Sequence, residues 1–89
     1  MKIEFDKSFL KSLDKIKDSK TLQKVEKLII NCESSKRISE ILNIKKLSGF
    51  SNYYRIKIGN YRIGFEFIDK SIIRFIIITH RKDIYKKFP

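Results

Sequence analysis

The sequence predicts an α+β domain: an N-terminal strand, a helical hairpin, a three-stranded antiparallel meander and a short C-terminal helix. Two observations predict it. Apolar residues recur at helical spacing from Phe9 to Cys32, then alternate or run together from Tyr53 onward. A two-residue turn signal, Gly59-Asn60, also separates two β-rich runs. Helices gathered before a meander pack together on one face of the sheet it forms.

Each element has its own warrant. Met1–Phe5 alternates, with Ile3 and Phe5 on one side and Lys2 and Glu4 on the other, which suits a short strand with one buried face. Asp6 is placed to N-cap a helix in which Phe9, Leu10, Leu13 and Ile16 recur at helical spacing. The polar break Asp18-Ser19-Lys20 restarts the pattern, and Leu22, Val25, Leu28, Ile29 and Cys32 form a second stripe. So short a connection predicts an antiparallel helical hairpin. Lys20, Lys24 and Lys27 read as its solvated face, and Cys32 as a small core residue rather than a nucleophile. Ile38, Ile41, Leu42 and Ile44 predict one helical turn, and Lys45-Lys46-Leu47-Ser48-Gly49 a turn leading out of it. The alternating Tyr53–Ile58, the run Tyr61–Ile68 and the Ile-rich Ile72–Thr79 predict the meander, with the last run as a central strand buried on both faces. Ile84, Tyr85 and Phe88 predict the closing helix.

No Pro-rich linker, internal repeat or low-complexity tract divides the chain, so residues 1–89 are expected to form one domain. A 42% apolar composition excludes a disordered basic tail. One cysteine excludes an intramolecular disulfide, and no Cys/His cluster predicts a zinc site. No apolar run approaches the roughly 18 residues of a bilayer span, and MKIEFDKSF has no signal-peptide core. A reduced, soluble, cytoplasmic protein that meets polyanions is therefore expected, with no membrane partner. Its net charge is +11, from 21 Lys and Arg against 10 Asp and Glu. From Gly49 onward the acids are only Glu66, Asp69 and Asp83, so that half is where a cationic site is sought.

The first turn fixes a register. Ile58 faces Tyr61, Lys57 faces Arg62, Ile56 faces Ile63, Arg55 faces Gly64 and Tyr54 faces Phe65. One sheet face is then apolar, and the other carries Arg55, Lys57, Arg62, Gly64 and Glu66. Like charges directly opposite each other destabilise a sheet, so Lys57 against Arg62, with Arg55 two residues along, points to an anion site. The plain alternative is a solvated sheet face. Gly64 opposite Arg55 predicts open space above the sheet. A three-residue second turn sets Glu66 against Arg74 and Phe65 against Phe75. It also directs His80 to the cationic face, just before Arg81; a two- or four-residue turn reverses that placement. Tyr53 and Tyr85 are candidates to stack on bases, and Lys45, Lys46, Arg74 and Lys82 to make further RNA contacts.

The chain has no Gly-rich phosphate loop, no usefully spaced carboxylate pair and no Ser-His-Asp set, and no metal or cofactor is implied. Converging cations suit a phosphodiester, whose transition state gains negative charge. RNA brings its own nucleophile, the 2′-hydroxyl. Cleavage then needs a base for that hydroxyl, cations for the phosphorane and an acid for the departing 5′-oxygen. Like charge from Arg55 and Arg62 favours a neutral amine on Lys57, which suits it as the base. The arginines keep their protons and act as electrostatic clamps.

Three stretches carry a family resemblance: Lys46-Leu47-Ser48-Gly49, Tyr54 to Ile63, and His80-Arg81-Lys82-Asp83-Ile84-Tyr85. In this order they resemble the RelE family of bacterial toxins, within the RelE/ParE superfamily of type II toxin–antitoxin systems. The resemblance covers the whole chain in element order and the last 44 residues in motif. It implies a β-α-α-β-β-β-α fold and an endoribonuclease that cleaves mRNA in the ribosomal A site without metal, inhibiting translation. It also implies a cognate antitoxin bound in a heteromeric complex. By position, Lys57 matches the general base and Arg62 a phosphate-stabilising arginine. Arg55 stands where the best-known member has lysine. Arg81 matches an arginine assigned to the leaving group or phosphorane, and Tyr85 a tyrosine that stacks on or activates the nucleotide. The Arg81–Tyr85 segment is two residues shorter than in that member. His80 matches no catalytic position there, although other superfamily toxins use histidine nearby, and it stands as a candidate acid or base. Two competing readings remain: a gyrase inhibitor like the ParE branch, which lacks the clustered cations, and a member that only binds RNA or its antitoxin.

Overall fold

Two aspartates set the helical hairpin. In the computed structural model, which describes residues 1–89, strand β1 (Lys2–Phe5) runs into Asp6. The Asp6 carboxylate accepts the Ser8 backbone N–H at 3.1 Å and starts α1 (Lys7–Asp14). Asp18 starts α2 (Ser19–Ser34) in the same way, accepting the Lys20 N–H at 3.2 Å and the Thr21 hydroxyl at 2.7 Å. Hydrogen bonds from the Ser8 and Thr21 side chains hold the two carboxyls below the usual carboxylate range. At the other end of α2 the Met1 α-amino group donates to the carbonyls of Cys32, Glu33 and Ser35, at 3.2, 2.9 and 2.7 Å. A cation there meets the negative end of the helix dipole and ties β1 to α2.

The remaining strands are β2 (Ile44–Lys46), β3 (Tyr53–Ile58), β4 (Tyr61–Asp69) and β5 (Ile72–His80), followed by α3 (Ile84–Lys87). They form one sheet in the order β1-β5-β4-β3-β2, parallel between β1 and β5 and antiparallel elsewhere. The Ile-rich β5 is a central strand, as its composition predicts. The expected helical turn shrinks to a 3-10 turn at Ile38–Glu40. Asn43, at φ 62°, then redirects the chain so that Ile44, Lys45 and Lys46 pair with β3. This extra strand covers an edge that β3 would otherwise leave open.

Between the helices and one sheet face lie Phe9, Val25, Cys32, Ile56, Ile63, Phe65, Ile73, Phe75 and Ile78, all buried. Burial pushes the Cys32 thiol up to about 11, so Cys32 is packing and not chemistry. Where β1 stops, α1 satisfies the open edge of β5. The Ser8 hydroxyl donates to the Ile76 carbonyl, and the Ser12 hydroxyl accepts the Ile78 N–H at 3.0 Å.

The opposite face is covered too, although helices were expected on one face alone. Leu47, Ile84 and Phe88 are buried there against Tyr53, Ile76 and Ile77. Gly64 is not open as its lack of a side chain suggests: the Phe88 ring fills that space, 2.6 Å from where a Cβ would stand.

The first hairpin has the register its turn dictates, including Lys57 opposite Arg62 and Arg55 opposite Gly64. In the second, Phe65 faces Phe75 and Glu66 faces Arg74, as expected. A shift between Phe67 and Asp69 and a two-residue turn at Lys70-Ser71 give this pairing in place of a three-residue turn. A further bulge on β5 sets Gly64 opposite Ile77 and Tyr61 opposite His80. Ile76 and Ile77 both join the α3-side cluster, and every later residue of β5 changes face.

Candidate functional site

The α3-side face gathers Arg55 from β3, Arg62 from β4, Arg81 from the turn after β5, and Tyr85 from α3. Arg55 Nε donates to the Tyr85 hydroxyl at 3.3 Å, and its Nη1 to the Asn43 carbonyl at 3.4 Å. Arg62 Nη1 folds back onto its own hairpin, donating to the carbonyls of Gly59 at 3.0 Å and Tyr61 at 2.9 Å. Those carbonyls hold the guanidinium on its own hairpin, on the strand opposite Lys57. Burial, and then the charges of Arg55 and Arg81, hold Arg62 below the ordinary arginine value. The Arg55 hydrogen bond pulls Tyr85 below the ordinary tyrosine value, and Arg55, Lys45 and Arg62 add to this by charge. Lys45, Arg55, Arg62, Arg81 and Tyr85 therefore share one field.

Lys57 is exposed and lies on the same face by register, opposite Arg62, with its ammonium free of hydrogen bonds and ion pairs. Lys46 and Lys82 are also exposed, the one in β2 and the other in the turn before α3. Three expected site residues are turned away or held by neighbours. The bulge puts His80 opposite Tyr61 on the helix side of the sheet, its ring centroid 6.1 Å from that of Tyr61. Its Nδ1 accepts the Lys82 N–H at 3.3 Å. Arg74 is not free for RNA, since it binds Glu4 Oε1 through Nη2 at 2.9 Å and approaches Glu66 at 4.0 Å. Tyr53 is packed edge-to-face between Phe50 and Phe88, with centroids 5.4 Å away on each side. Phe50 went unread because it belongs to no periodic run. An aromatic alone in a Gly/Ser turn was the available signal.

A groove of about 420 Å³ lies between α2 and the end of β3, with Leu28, Leu42, Ile56 and Ile58 inside and Lys24, Lys27 and Lys57 alongside. No group of three His, Cys, Asp or Glu side chains comes together to hold a metal, and no helix is long and apolar enough to cross a membrane.

Residues 3–85 match the family described as the ParE toxin of the type II toxin–antitoxin system parDE, which sets the class of protein. Over 91 residues, covering the whole of both chains, the sequence is 45% identical to Toxin RelE3 of Methanocaldococcus jannaschii. The structure matches a chain of the RelB–RelE antitoxin–toxin complex from Methanococcus jannaschii with a TM-score of 0.80 and 38% identity, covering 97% of this chain and 99% of that one. A chain of the intact E. coli RelBE complex gives a TM-score of 0.69 and 28% identity, over 89% and 94%. The chain belongs to the RelE family of type II toxin–antitoxin toxins.

Proposed function

We propose that this toxin is a ribosome-dependent mRNA endonuclease of the cytoplasm that inhibits translation. The observation that carries the reading is the Arg55 hydrogen bond to the Tyr85 hydroxyl, with Arg62 close to both and Arg81 close to Arg62. In the proposed reaction Lys57 takes the proton of a 2′-hydroxyl, and the oxygen attacks the adjacent phosphorus. Arg62, already anchored on two carbonyls, stabilises the charge of the phosphorane without reorganising. Arg81 supports the departing 5′-oxygen by charge, that oxygen takes a proton from water, and a 2′,3′-cyclic phosphate remains. Arg55 fixes Tyr85, whose ring stacks on the reacting nucleotide or whose hydroxyl helps activate it. His80 is left out of this set because its ring lies on the other side of the sheet.

Antitoxin–toxin complexes among the matched structures support a cognate antitoxin for this chain. An acidic, amphipathic antitoxin segment suits both the cationic face and the groove beside α2, where Leu42 is 70% exposed.

Expressed alone, the toxin should arrest growth, and Lys57→Ala or Arg81→Ala should relieve the arrest while leaving the protein folded. Full toxicity in both variants would falsify the assignment. Arg62→Ala should slow cleavage by about 100- to 1000-fold, the usual effect of removing one transition-state donor. The family match carries the ParE description, so gyrase inhibition is the reading to exclude. Primer extension on ribosome-bound mRNA should show codon-positioned cuts, whereas gyrase–DNA adducts would favour the alternative.

A further inference from the structure

Beside the Arg55–Tyr85 pair lies a pocket of about 550 Å³ that the chemistry above does not use. Buried Leu47 and Phe88 close it from below, Lys45 and Lys46 flank it, and Phe50 and Tyr85 stand in its wall. Phe50 is 44% exposed. Its orientation is nonetheless fixed, because its ring meets Tyr53 edge-to-face and Tyr53 meets Phe88 in the same way. An apolar floor, a held aromatic face and two flanking lysines match the parts of a single-stranded nucleotide: a base to stack and phosphates to neutralise.

We propose that this pocket is a subsite for one nucleobase of the RNA next to the scissile phosphate. The base stacks on Phe50, and Lys45 and Lys46 neutralise the neighbouring phosphates. The inference rests on the reading of the chain as an RNA-cleaving toxin. Ser48 and the Tyr85 hydroxyl, which Arg55 already holds, are the neutral polar groups lining the pocket, so recognition there is mainly by stacking and shape rather than by the hydrogen-bonding edge of the base.

The test uses RNA carrying 2-aminopurine at successive positions around a 2′-deoxy nucleotide that blocks cleavage. It is offered to the full-length toxin both as a free oligonucleotide and in the ribosomal A site. One label position should lose fluorescence on binding. Phe50→Ala and Phe50→Leu should both abolish that loss and weaken binding roughly tenfold, whereas Phe50→Trp should retain it. Leucine keeps apolar packing against Tyr53 without an aromatic face, and thermal melting confirms that each variant is folded. Quenching at no position, or quenching that survives Phe50→Leu, overturns the proposal. So does a Phe50→Leu effect confined to antitoxin affinity, which would make the pocket a seat for an antitoxin side chain. A toxin that quenches the label but never cuts unlabelled mRNA would refute the nuclease reading and leave the subsite standing.

Discussion

Tyr85 has its hydroxyl held by a guanidinium, and that guanidinium is on β3, far from it in sequence. Positive charge stabilises phenolate, so removing the charge must return the phenol to its ordinary behaviour. Arg55→Gln should therefore move the ionisation of Tyr85 to higher pH, which a titration followed by 13C NMR of the tyrosine Cζ would read. No movement would mean that the 3.3 Å contact is not made in solution. Gly64 offers a second residue-scale test. A methyl group there would stand 2.6 Å from the Phe88 ring, so Gly64→Ala should cost about 1–3 kcal/mol of stability and push Phe88 off the sheet. An unchanged melting temperature would show that Phe88 is not seated there. The roles of single residues were legible where a tight turn set them, as for Arg55, Lys57 and Arg62. The pairing of Arg74 with Glu66 was legible from the second turn, but its closer partner, Glu4, was not, because Glu4 arrives from the far end of the chain through β1. Gly64 misled for the same reason, since its neighbour Phe88 comes from beyond the sheet.

At the scale of elements, both helices begin on an aspartate whose ionised form is the one that caps. The folded state holds the Asp18 carboxyl below its unfolded value of about 3.9. Its contribution to stability is thus present above that value and fades as pH falls through the folded one. Asp18→Ala should lower the melting temperature at neutral pH, and its deficit against the parent should shrink in acid below about pH 4. A deficit independent of pH would point to lost packing instead. Ser12→Ala should orphan the Ile78 N–H at the open edge of β5, costing about 1–3 kcal/mol, and should speed its hydrogen exchange. The Asp6 cap, the helical stripes and the first hairpin could be read from local pattern, since spacing, cap and turn all agreed, whereas Asp18 read only as a polar break. Strand β2 could not, because three residues carry no period and only the edge of β3 makes them a strand. Nor could the bulge at Ile76, where apolar residues fill nearly every position and no alternation marks a change of phase.

Across the whole molecule, only Arg37 and Arg74 among the cations form ion pairs with side chains. The rest of the +11 surface is free to attract polyanions, and the proposed site would add Arg55, Lys57, Arg62 and Arg81 as specific contacts. Four phosphates neutralised on a single strand predict a log–log salt slope near −3, or roughly fifty-fold weaker RNA binding between 50 and 200 mM salt. A flat salt response would mean that these four cations do not meet phosphate. The bulge at Ile76 also decides what the end of β5 offers each face. Ile76 and Ile77 stand on the same side, so the strand beyond them keeps Thr79 opposite Arg62 and His80 opposite Tyr61. Deleting Ile76 would take out the extra residue and leave those pairings as they are, whereas pairing the full strand straight through would turn Thr79 to the helices and His80 to the guanidinium side. A straightened strand of unchanged length, and not a shortened one, is the form that would bring the only imidazole of the chain to the arginines.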